Sequence, residues 1–167
     1  MNIRPRINRW TAARRRLLFS DAMLDSLVQP HFVVEGNGVD EPIQGMPGIH
    51  PQSVDVLLKT IAEDASHGLR AVMLFGVVAA HAKDAHATEA HNHGSHLHQA
   101  ITEIKSTFGD EVVVMTDVCL CTATDHGHCG LVHDGEVVND ASVEVLCSIA
   151  VSHALAGADY VCASDMM

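Results

Sequence analysis

The fold is decided by the stretch Glu111-Val-Val-Val-Met-Thr116, which runs directly into Asp117-Val-Cys-Leu-Cys-Thr-Ala-Thr-Asp-His-Gly-His-Cys129. The first part is apolar and rich in β-branched residues, so it predicts a buried strand. The second part carries three thiols, two imidazoles and two carboxylates. The pattern therefore predicts a chemically active loop at the end of that strand.

The three cysteines of this loop have a spacing that suits a metal ion. Cys119, Cys121 and Cys129 form a C-x-C-x7-C pattern, which is short enough for one loop to place three sulfurs around a single ion. Thiolates suit zinc, at Zn–S distances of about 2.3 Å, and three protein ligands leave one position open, as in catalytic zinc sites. Two other interpretations stay open: a closed site with His126 or His128 as fourth ligand, and a disulfide with a spare thiol and no metal.

These residues resemble the zinc signature of the porphobilinogen synthase family, also called δ-aminolevulinic acid dehydratases. The resemblance rests on Asp117-Val-Cys-Leu-Cys121 and His126-Gly-His-Cys-Gly130, and it covers nearly the whole chain from about Arg4 onward. Further segments that resemble the family are Met46-Pro-Gly-Ile49, Ser53-Val-Asp55, Lys83-Asp84, Glu89-Ala90, Gln99-Ala-Ile101, Asn139-Asp140, Ala156-Gly-Ala-Asp159 and Ser164-Asp-Met-Met167.

The resemblance implies a zinc-dependent lyase of haem biosynthesis, which condenses two molecules of 5-aminolevulinate into porphobilinogen. It implies that Cys119, Cys121 and Cys129 hold zinc. It also makes His128 a candidate ligand, because a matching residue binds a further zinc in some relatives. The bound zinc would then orient a substrate at its open coordination position.

The resemblance also implies a substrate pocket around the ends of two strands. It places Asp117, Ser164 and Asp165 there, with Asp117 holding a substrate ammonium or helping proton transfer. The family's chemistry uses two lysines that form Schiff bases with the substrate, and none of the lysines present matches them. Of the chain's three lysines, Lys59 and Lys105 are predicted on helices and Lys83 on a loop.

Composition excludes several classes of function. The chain has 167 residues and is 47% hydrophobic, which allows one domain with a buried core. No run approaches the roughly 18–20 apolar residues that span a membrane, and the arginine-rich start lacks the apolar region of a secretory signal. Five cysteines without secretory features favour metal binding over disulfides. We therefore expect a cytoplasmic protein without a membrane partner.

The charge is distributed unevenly along the chain. Residues 1–16 carry six arginines and no acidic residue, although the net charge of the whole chain is −11. This balance argues against nucleic acid as a partner. It predicts that residues 1–28 form an N-terminal arm that lies on an acidic surface, of its own or of a neighbouring subunit. The family resemblance implies a homo-oligomer, often an octamer in full-length relatives.

The order of predicted elements indicates the architecture of residues 29–167. Buried strands are predicted at residues 29–35, 70–78, 111–116 and 158–163, with helices that begin near Ser53, Leu97 and Asp140. Asp134-Gly135 predicts a hairpin after the cysteine loop. Such alternation predicts an α/β fold with a parallel sheet, either doubly wound or a barrel. The resemblance implies the first half of a TIM (β/α)8 barrel, strands 1 to 4, with the zinc loop at residues 117–130.

Only four barrel strands are predicted, so we expect the N-terminal half of such an enzyme, truncated before the Schiff-base lysines and inactive alone. Three alternatives remain. The half could pair with a copy of itself, it could be a decayed gene product, or it could be a non-enzymatic zinc-buffering protein. The last alternative would use the cysteine loop together with a histidine-rich loop.

The histidine-rich loop contains six histidines between His81 and His98. Their spacing is irregular and does not place pairs on one helical face, so a solvated loop is predicted. The functional alternative is a weak zinc- or nickel-collecting loop. The two remaining cysteines, Cys147 and Cys162, are predicted to be core residues.

Overall fold

The computed structural model describes residues 6–164, in which strands alternate with helices. The elements, in chain order, are α1 (Ala12–Phe19), β1 (Gln29–Val33), β2 (Pro51–Gln52), α2 (Val54–Ser66), β3 (Ala71–Gly76), α3 (His96–Phe108), β4 (Val113–Val118), β5 (Val132–His133), β6 (Glu136–Val137), α4 (Asn139–Ala156) and β7 (Tyr160–Ala163).

The main sheet has the order β2-β1-β3-β4-β7, and every neighbouring pair is parallel. The long strands follow one another in chain order, so the sheet has no reversal of strand order such as a doubly wound fold shows. Helix α3 packs beside both α2 and α4, which places the three helices on one face. Successive βα units of a TIM barrel are arranged in this way. The predicted α/β class and partial barrel are therefore confirmed.

The core lies between the sheet and the three helices. Alternate strand residues face the helices, as the pleat requires, and the helices present apolar residues at intervals of three and four. Burying each large aliphatic side chain contributes about 1.5–3 kcal/mol. The residues that form the centre of this core are Val33, Leu57, Ile61, Leu74, Ile101, Ile104 and Val114.

Residues with positive φ explain where helix α2 ends and where the hairpin turns. Helix α2 stops at Ser66, and Gly68 follows at φ +101°, a conformation that glycine adopts without strain. The predicted hairpin is confirmed as β5 and β6, joined by Asp134 and Gly135, which both have positive φ as a type I′ turn requires.

Several predicted boundaries are wrong. The N-cap of α4 is Val138 and not Asp140, so the helix starts two residues earlier than a cap at Asp140 would place it. The Val138 N–H closes the hairpin on the Leu131 carbonyl at 2.8 Å. Within the arm, Met23–Ser26 form a short 3-10 turn. Strand β2 was not predicted, because two residues are too few to show a periodic pattern.

The buried face of α4 also differs from the prediction. Cys147 was expected in the core but is exposed, as are Val151 (58%) and Leu155 (76%). The helix instead buries a face with polar members, including Ser152 and His153. These polar side chains are hydrogen-bonded to α3 and β4, so satisfied polar packing determines the face rather than the apolar pattern. Cys162 is only partly buried.

The arm is anchored to its own chain through a buried carboxylate. Arg14 of α1 pairs with Asp159, which also accepts from Lys105 Nζ at 3.1 Å and from the Val114 N–H at 2.8 Å. The Arg14 guanidinium lies 5.6 Å from the centre of the Tyr160 ring. The described part of the arm thus packs at the amino-terminal ends of the strands, where Asp159 is the acidic partner of Arg14.

Among residues 6–164, no helix is both long and apolar enough to cross a bilayer.

Candidate metal centre

Strand β4 carries the cysteine loop at its carboxyl end, where the chemistry of parallel barrels is located. Leu120 and Ala123 are fully buried and hold the loop against α4. Thr124 Oγ1 donates to the His128 carbonyl at 2.9 Å, and Gly127 at φ +73° lets the chain turn back. Apolar packing therefore fixes the start of the loop, and a side-chain hydrogen bond fixes its middle.

The turn brings the three cysteines together. The sulfur atoms of Cys119, Cys121 and Cys129 all lie within 4.8 Å of one another. The Cys119 thiol donates to the Cys121 sulfur at 3.2 Å, and the Cys121 N–H donates to the Cys119 sulfur at 3.4 Å. All five cysteines are free thiols, and a separation of 3.2 Å is well beyond a disulfide bond of about 2.05 Å.

This arrangement fits a soft or borderline cation. Ligands at about 2.3 Å around a tetrahedral ion stand about 3.8 Å apart, so small side-chain movements would centre one ion among the three sulfurs. Burial and, to a smaller extent, the neighbouring Cys119 together raise the pKa of the Cys121 thiol to about 11. A bound cation displaces such protons, so the cluster binds metal in exchange for protons.

The two loop histidines occupy positions outside the sulfur cluster. His126 and His128 are exposed, and their ring centres are 5.3 Å apart. His126 Nδ1 accepts from the His128 N–H at 3.1 Å, so His126 supports the loop through a hydrogen bond. Among the described residues, the group of ligand atoms that could share one ion contains only the three sulfurs. Metal binding at His128 stays a prediction.

The predicted substrate residues lie around the same strand ends. Asp117 is half-buried in β4 and pairs in register with Cys162 of β7. Ser164 follows β7, and its N–H and hydroxyl both donate to the Val118 carbonyl, at 3.3 and 3.5 Å. Asp165 lies outside the described residues. The structure therefore brings Asp117 and Ser164 to adjacent strand ends, beside the cysteine loop.

A small cavity lies between α3 and α4 next to the cysteine loop. Its volume is about 30 Å³, and its wall includes Asp117 and Cys119 from the strand end together with Glu89, His96 and His153. His153 Nδ1 is bonded to Thr116 Oγ1 at 3.1 Å. Sequence reasoning missed His153, although it falls seven residues after Leu146 on the buried face of α4.

The histidine-rich loop contacts the cysteine loop through Asp84. The Asp84 N–H donates to the Ala123 carbonyl and the Asp125 N–H donates to the Asp84 carbonyl, both at 3.2 Å. The Asp84 carboxylate accepts from the N–H groups of His86 and Thr88, and hydrogen bonds from Thr88 hold its pKa below the usual range. The loop is therefore not uniformly solvated, which corrects the prediction for this part of it.

The six histidines of the loop are distributed over several environments. His98 is buried, and its two ring nitrogens pair with Ser95 Oγ at 2.8 Å and Ser152 Oγ at 2.9 Å. His81, His86 and His93 are exposed, whereas His91 and His96 are partly buried. Among the described residues, they form no group of three ligands close enough to share one ion.

Comparison with known proteins gives the same family throughout. The family model described as Delta-aminolevulinic acid dehydratase matches residues 2–167. The chain is 44% identical over 163 residues to the Delta-aminolevulinic acid dehydratase of Bacillus subtilis, covering 92% of this chain and 49% of that protein. It is 41% identical over 160 residues to that of Halalkalibacterium halodurans, covering 95% and 48%.

A solved structure agrees with the fold. The crystal structure of delta-aminolevulinic acid dehydratase (porphobilinogen synthase) from Toxoplasma gondii ME49, in complex with the reaction product porphobilinogen, superposes with a TM-score of 0.84. The two chains are 39% identical, and the match covers 100% of this chain and 48% of that one. The chain thus spans about half the length of the relatives it matches. It belongs to the delta-aminolevulinic acid dehydratase family.

Proposed function

We propose that this chain is the metal-binding half of a porphobilinogen synthase, which condenses two molecules of 5-aminolevulinate, and that zinc is its metal. The observation that carries this proposal is the convergence of three thiols at the carboxyl end of β4 in a chain of this family. The porphobilinogen bound to the Toxoplasma gondii relative supports the assignment of the substrate class.

Cys119, Cys121 and Cys129 would hold the zinc ion. A zinc ion with an open position would polarise a substrate carbonyl or orient a substrate amine. Asp117 would hold the substrate ammonium or accept a proton from it, because its carboxylate lies at the end of the same strand. Ser164 would line the pocket from the neighbouring strand, and we assign the same role to Asp165.

The lysines of this chain are poorly placed for covalent capture of the substrate. A Schiff-base lysine needs a desolvated or cationic pocket that lowers its pKa. Lys59 lies on α2, and Lys105 lies on α3, where it pairs with Asp159. Lys83 lies on the histidine-rich loop. We therefore propose that the reactive lysines of the complete enzyme are outside this chain.

Exposed apolar side chains on the arm support the proposal of a homo-oligomer. Trp10 is 78% exposed, Phe19 63% and Met23 79%, which is unusual for residues of this size on a monomer surface. Five free thiols favour a reducing compartment, and we propose the cytoplasm.

A chimaera tests the function directly. This chain would replace the matching half of the Bacillus subtilis relative, which supplies the remaining half of the fold. We expect the chimaera to form porphobilinogen. With Cys119, Cys121 and Cys129 all changed to Ser, we expect the rate to fall by at least about 100-fold, because the residues that orient the substrate are lost.

A Cys147→Ser chimaera is the matched control and should keep its activity, because Cys147 is an exposed thiol outside the cluster. A folded, zinc-loaded chimaera that forms no product would refute the proposed function. The 167-residue chain alone should form no product and no borohydride-trapped aminolevulinate adduct by intact mass measurement. A stoichiometric adduct together with product would show that one of its own lysines is reactive.

A further inference from the structure

Helix α4 supports the cysteine loop through one face, on which Leu146, Ile149 and His153 are buried at helical spacing. Leu146 and Ile149 belong to an apolar cluster that includes Leu120 of the loop. His153 lies one turn further on and is only 1% exposed, and its Nδ1 is bonded to Thr116 Oγ1 of β4 at 3.1 Å. The same helix face therefore contacts both the loop and the strand from which the loop starts.

Thr116 is a polar residue in a row of valines. On the face of β4 that meets the helices it stands between Val114 and Val118, and all three side chains are buried, with exposures of 0%, 0% and 2% in chain order. Valine has nearly the shape of threonine and would be buried there without the cost of desolvating a hydroxyl group. The bond between Thr116 and His153 therefore supplies a directional contact, which apolar packing at this position would not.

The direction of this bond determines how β4 lies against α4. Apolar contacts such as those of Leu146 and Ile149 are non-directional, so they tolerate a small shift of the helix along the strand. A hydrogen bond weakens steeply as its angle departs from linearity, so it favours one register. Thr116 immediately precedes Asp117, and Cys119 follows three residues later. A shift of β4 against α4 would therefore move the chemical groups at the strand end.

A second polar contact holds α4 in another direction. Ser152 Oγ is bonded to His98 Nε2 at 2.9 Å, and His98 Nδ1 is bonded to Ser95 Oγ at 2.8 Å. Ser95 is the N-cap of α3, so this contact joins α4 to the start of the neighbouring helix. Of the two contacts, the bond between His153 and Thr116 is the one that reaches β4.

We propose that His153 and Thr116 are positioning residues for the site at the end of β4. Their bond fixes β4 against α4, so that Asp117 on the strand and the cysteine loop packed on the helix keep the geometry in which both act on one substrate. The small cavity beside the loop supports this role, because Asp117, Cys119 and His153 all contribute to its wall. The role rests on the proposed function of Asp117 and the cysteine loop.

The positioning role implies that function is lost out of proportion to stability. A displacement of about 1 Å in a catalytic site can lower a rate about 100-fold. Loss of one buried hydrogen bond lowers stability only modestly. A purely structural bond would instead lower both in the way that any comparable core substitution does.

The first experiment measures Co²⁺ binding to the cysteine cluster of the 167-residue chain. Thr116→Val removes the hydroxyl group and keeps nearly the same shape. We expect a thiolate charge-transfer band with altered ligand-field bands, and a Co²⁺ dissociation constant raised about tenfold. Thr116→Ser restores the hydroxyl group and should restore the wild-type spectrum. His153→Phe should reproduce the effect of Thr116→Val, and the double variant should be no worse than either single variant.

Ile61→Val is the control for a general loss of stability. Ile61 lies in the apolar core on α2, is 1% exposed, and takes no part in the bond between α4 and β4. Both Ile61→Val and Thr116→Val should lower the urea concentration at the midpoint of unfolding. Ile61→Val should leave the Co²⁺ spectrum and dissociation constant unchanged.

The second experiment places the same substitutions in the chimaera with the Bacillus subtilis relative. In Thr116→Val we expect kcat to fall at least about tenfold while KM changes less than about threefold, because misplacement affects the transition state more than binding. Thr116→Ser should recover most of the rate, and Ile61→Val should keep it.

The positioning role and the proposed function fail in different ways. A wild-type spectrum, dissociation constant and kcat in Thr116→Val, or equal defects in Ile61→Val, would overturn the positioning role and leave the cysteine site intact. Absence of a thiolate band in the wild-type chain would overturn the cysteine site, and the kinetics of the chimaera would then decide on the positioning of Asp117. Absence of product from the chimaera would overturn the proposed function, and the Co²⁺ spectra would then decide. Thr116→Val remains informative if His153→Phe is unstable.

Discussion

The cysteine loop, residues 119–129, and the histidine-rich loop, residues 81–98, are both dense in metal ligands but differ in how they are held. The cysteine loop starts from the end of β4 and turns back through Gly127, which places its three sulfurs within 4.8 Å of one another. The histidine-rich loop distributes its rings between solvent, the helix interface and the cavity. A ligand cluster therefore depends on backbone anchors at both ends of a short segment, and not on the number of ligands.

The strongest test of this comparison removes the three sulfurs. Changing Cys119, Cys121 and Cys129 to Ser should abolish tight zinc binding, because Ser hydroxyls are poor ligands for zinc. Elemental analysis after extensive dialysis measures the zinc retained per chain. Changing Cys147 to Ser should leave the zinc content unchanged. Full zinc retention in the triple variant would assign the tight site to the histidines instead.

A second test concerns pH and His153, the buried histidine of α4 that packs against His98. The pKa of His153 is lowered from 6.5 to about 4, so below pH 6.5 the unfolded chain binds a proton that the folded chain does not. Folding stability should therefore fall as pH decreases from 6.5 to 4, by up to about 3 kcal/mol from this residue. Urea unfolding at a series of pH values measures this slope.

The His153→Asn variant should show a flatter pH dependence over the same range, because it lacks this titrating ring. His133→Asn serves as the control, since His133 is 80% exposed on the hairpin. Equal slopes in the wild type and in His153→Asn would show that the ring accepts a proton in the folded state.

The smallest expected effect concerns the contact between the two loops. Asp84→Ala removes a carboxylate that accepts from the N–H groups of His86 and Thr88, at 2.9 and 3.1 Å. We expect a loss of about 1 kcal/mol in unfolding free energy. Hydrogen exchange should increase in residues 80–92 and remain unchanged in α2. Asp125→Ala is the matched control, because Asp125 contacts Asp84 through its main chain.

The fold and the cysteine cluster were predictable because their signals are local. Strand β3 is wholly apolar, β4 begins with an apolar β-branched run, and the three cysteines lie within eleven residues of one another. The family resemblance was needed to choose a barrel, because alternation of strands and helices fits two architectures. Comparison with relatives then confirmed that choice.

The histidine cavity was not predictable because it depends on contacts between distant segments. His98 meets Ser152 across 54 residues, and His153 meets Thr116 across 37. Neither contact produces a periodic pattern in the sequence from which it could be predicted. The same contacts explain the error at Cys147, since they rotate the polar residues of α4 inward and leave an apolar stripe outside.

The carboxylate of Asp159 has a consequence for how the protein is made. It joins Arg14 of α1, separated by 145 residues, to Lys105 of α3 and to the backbone of β4. Arg14 therefore cannot form this ion pair until Asp159 has been translated. During synthesis Arg14 lacks this carboxylate while the βα units form in sequence. Attachment of the arm is thus a late folding event with a high contact order.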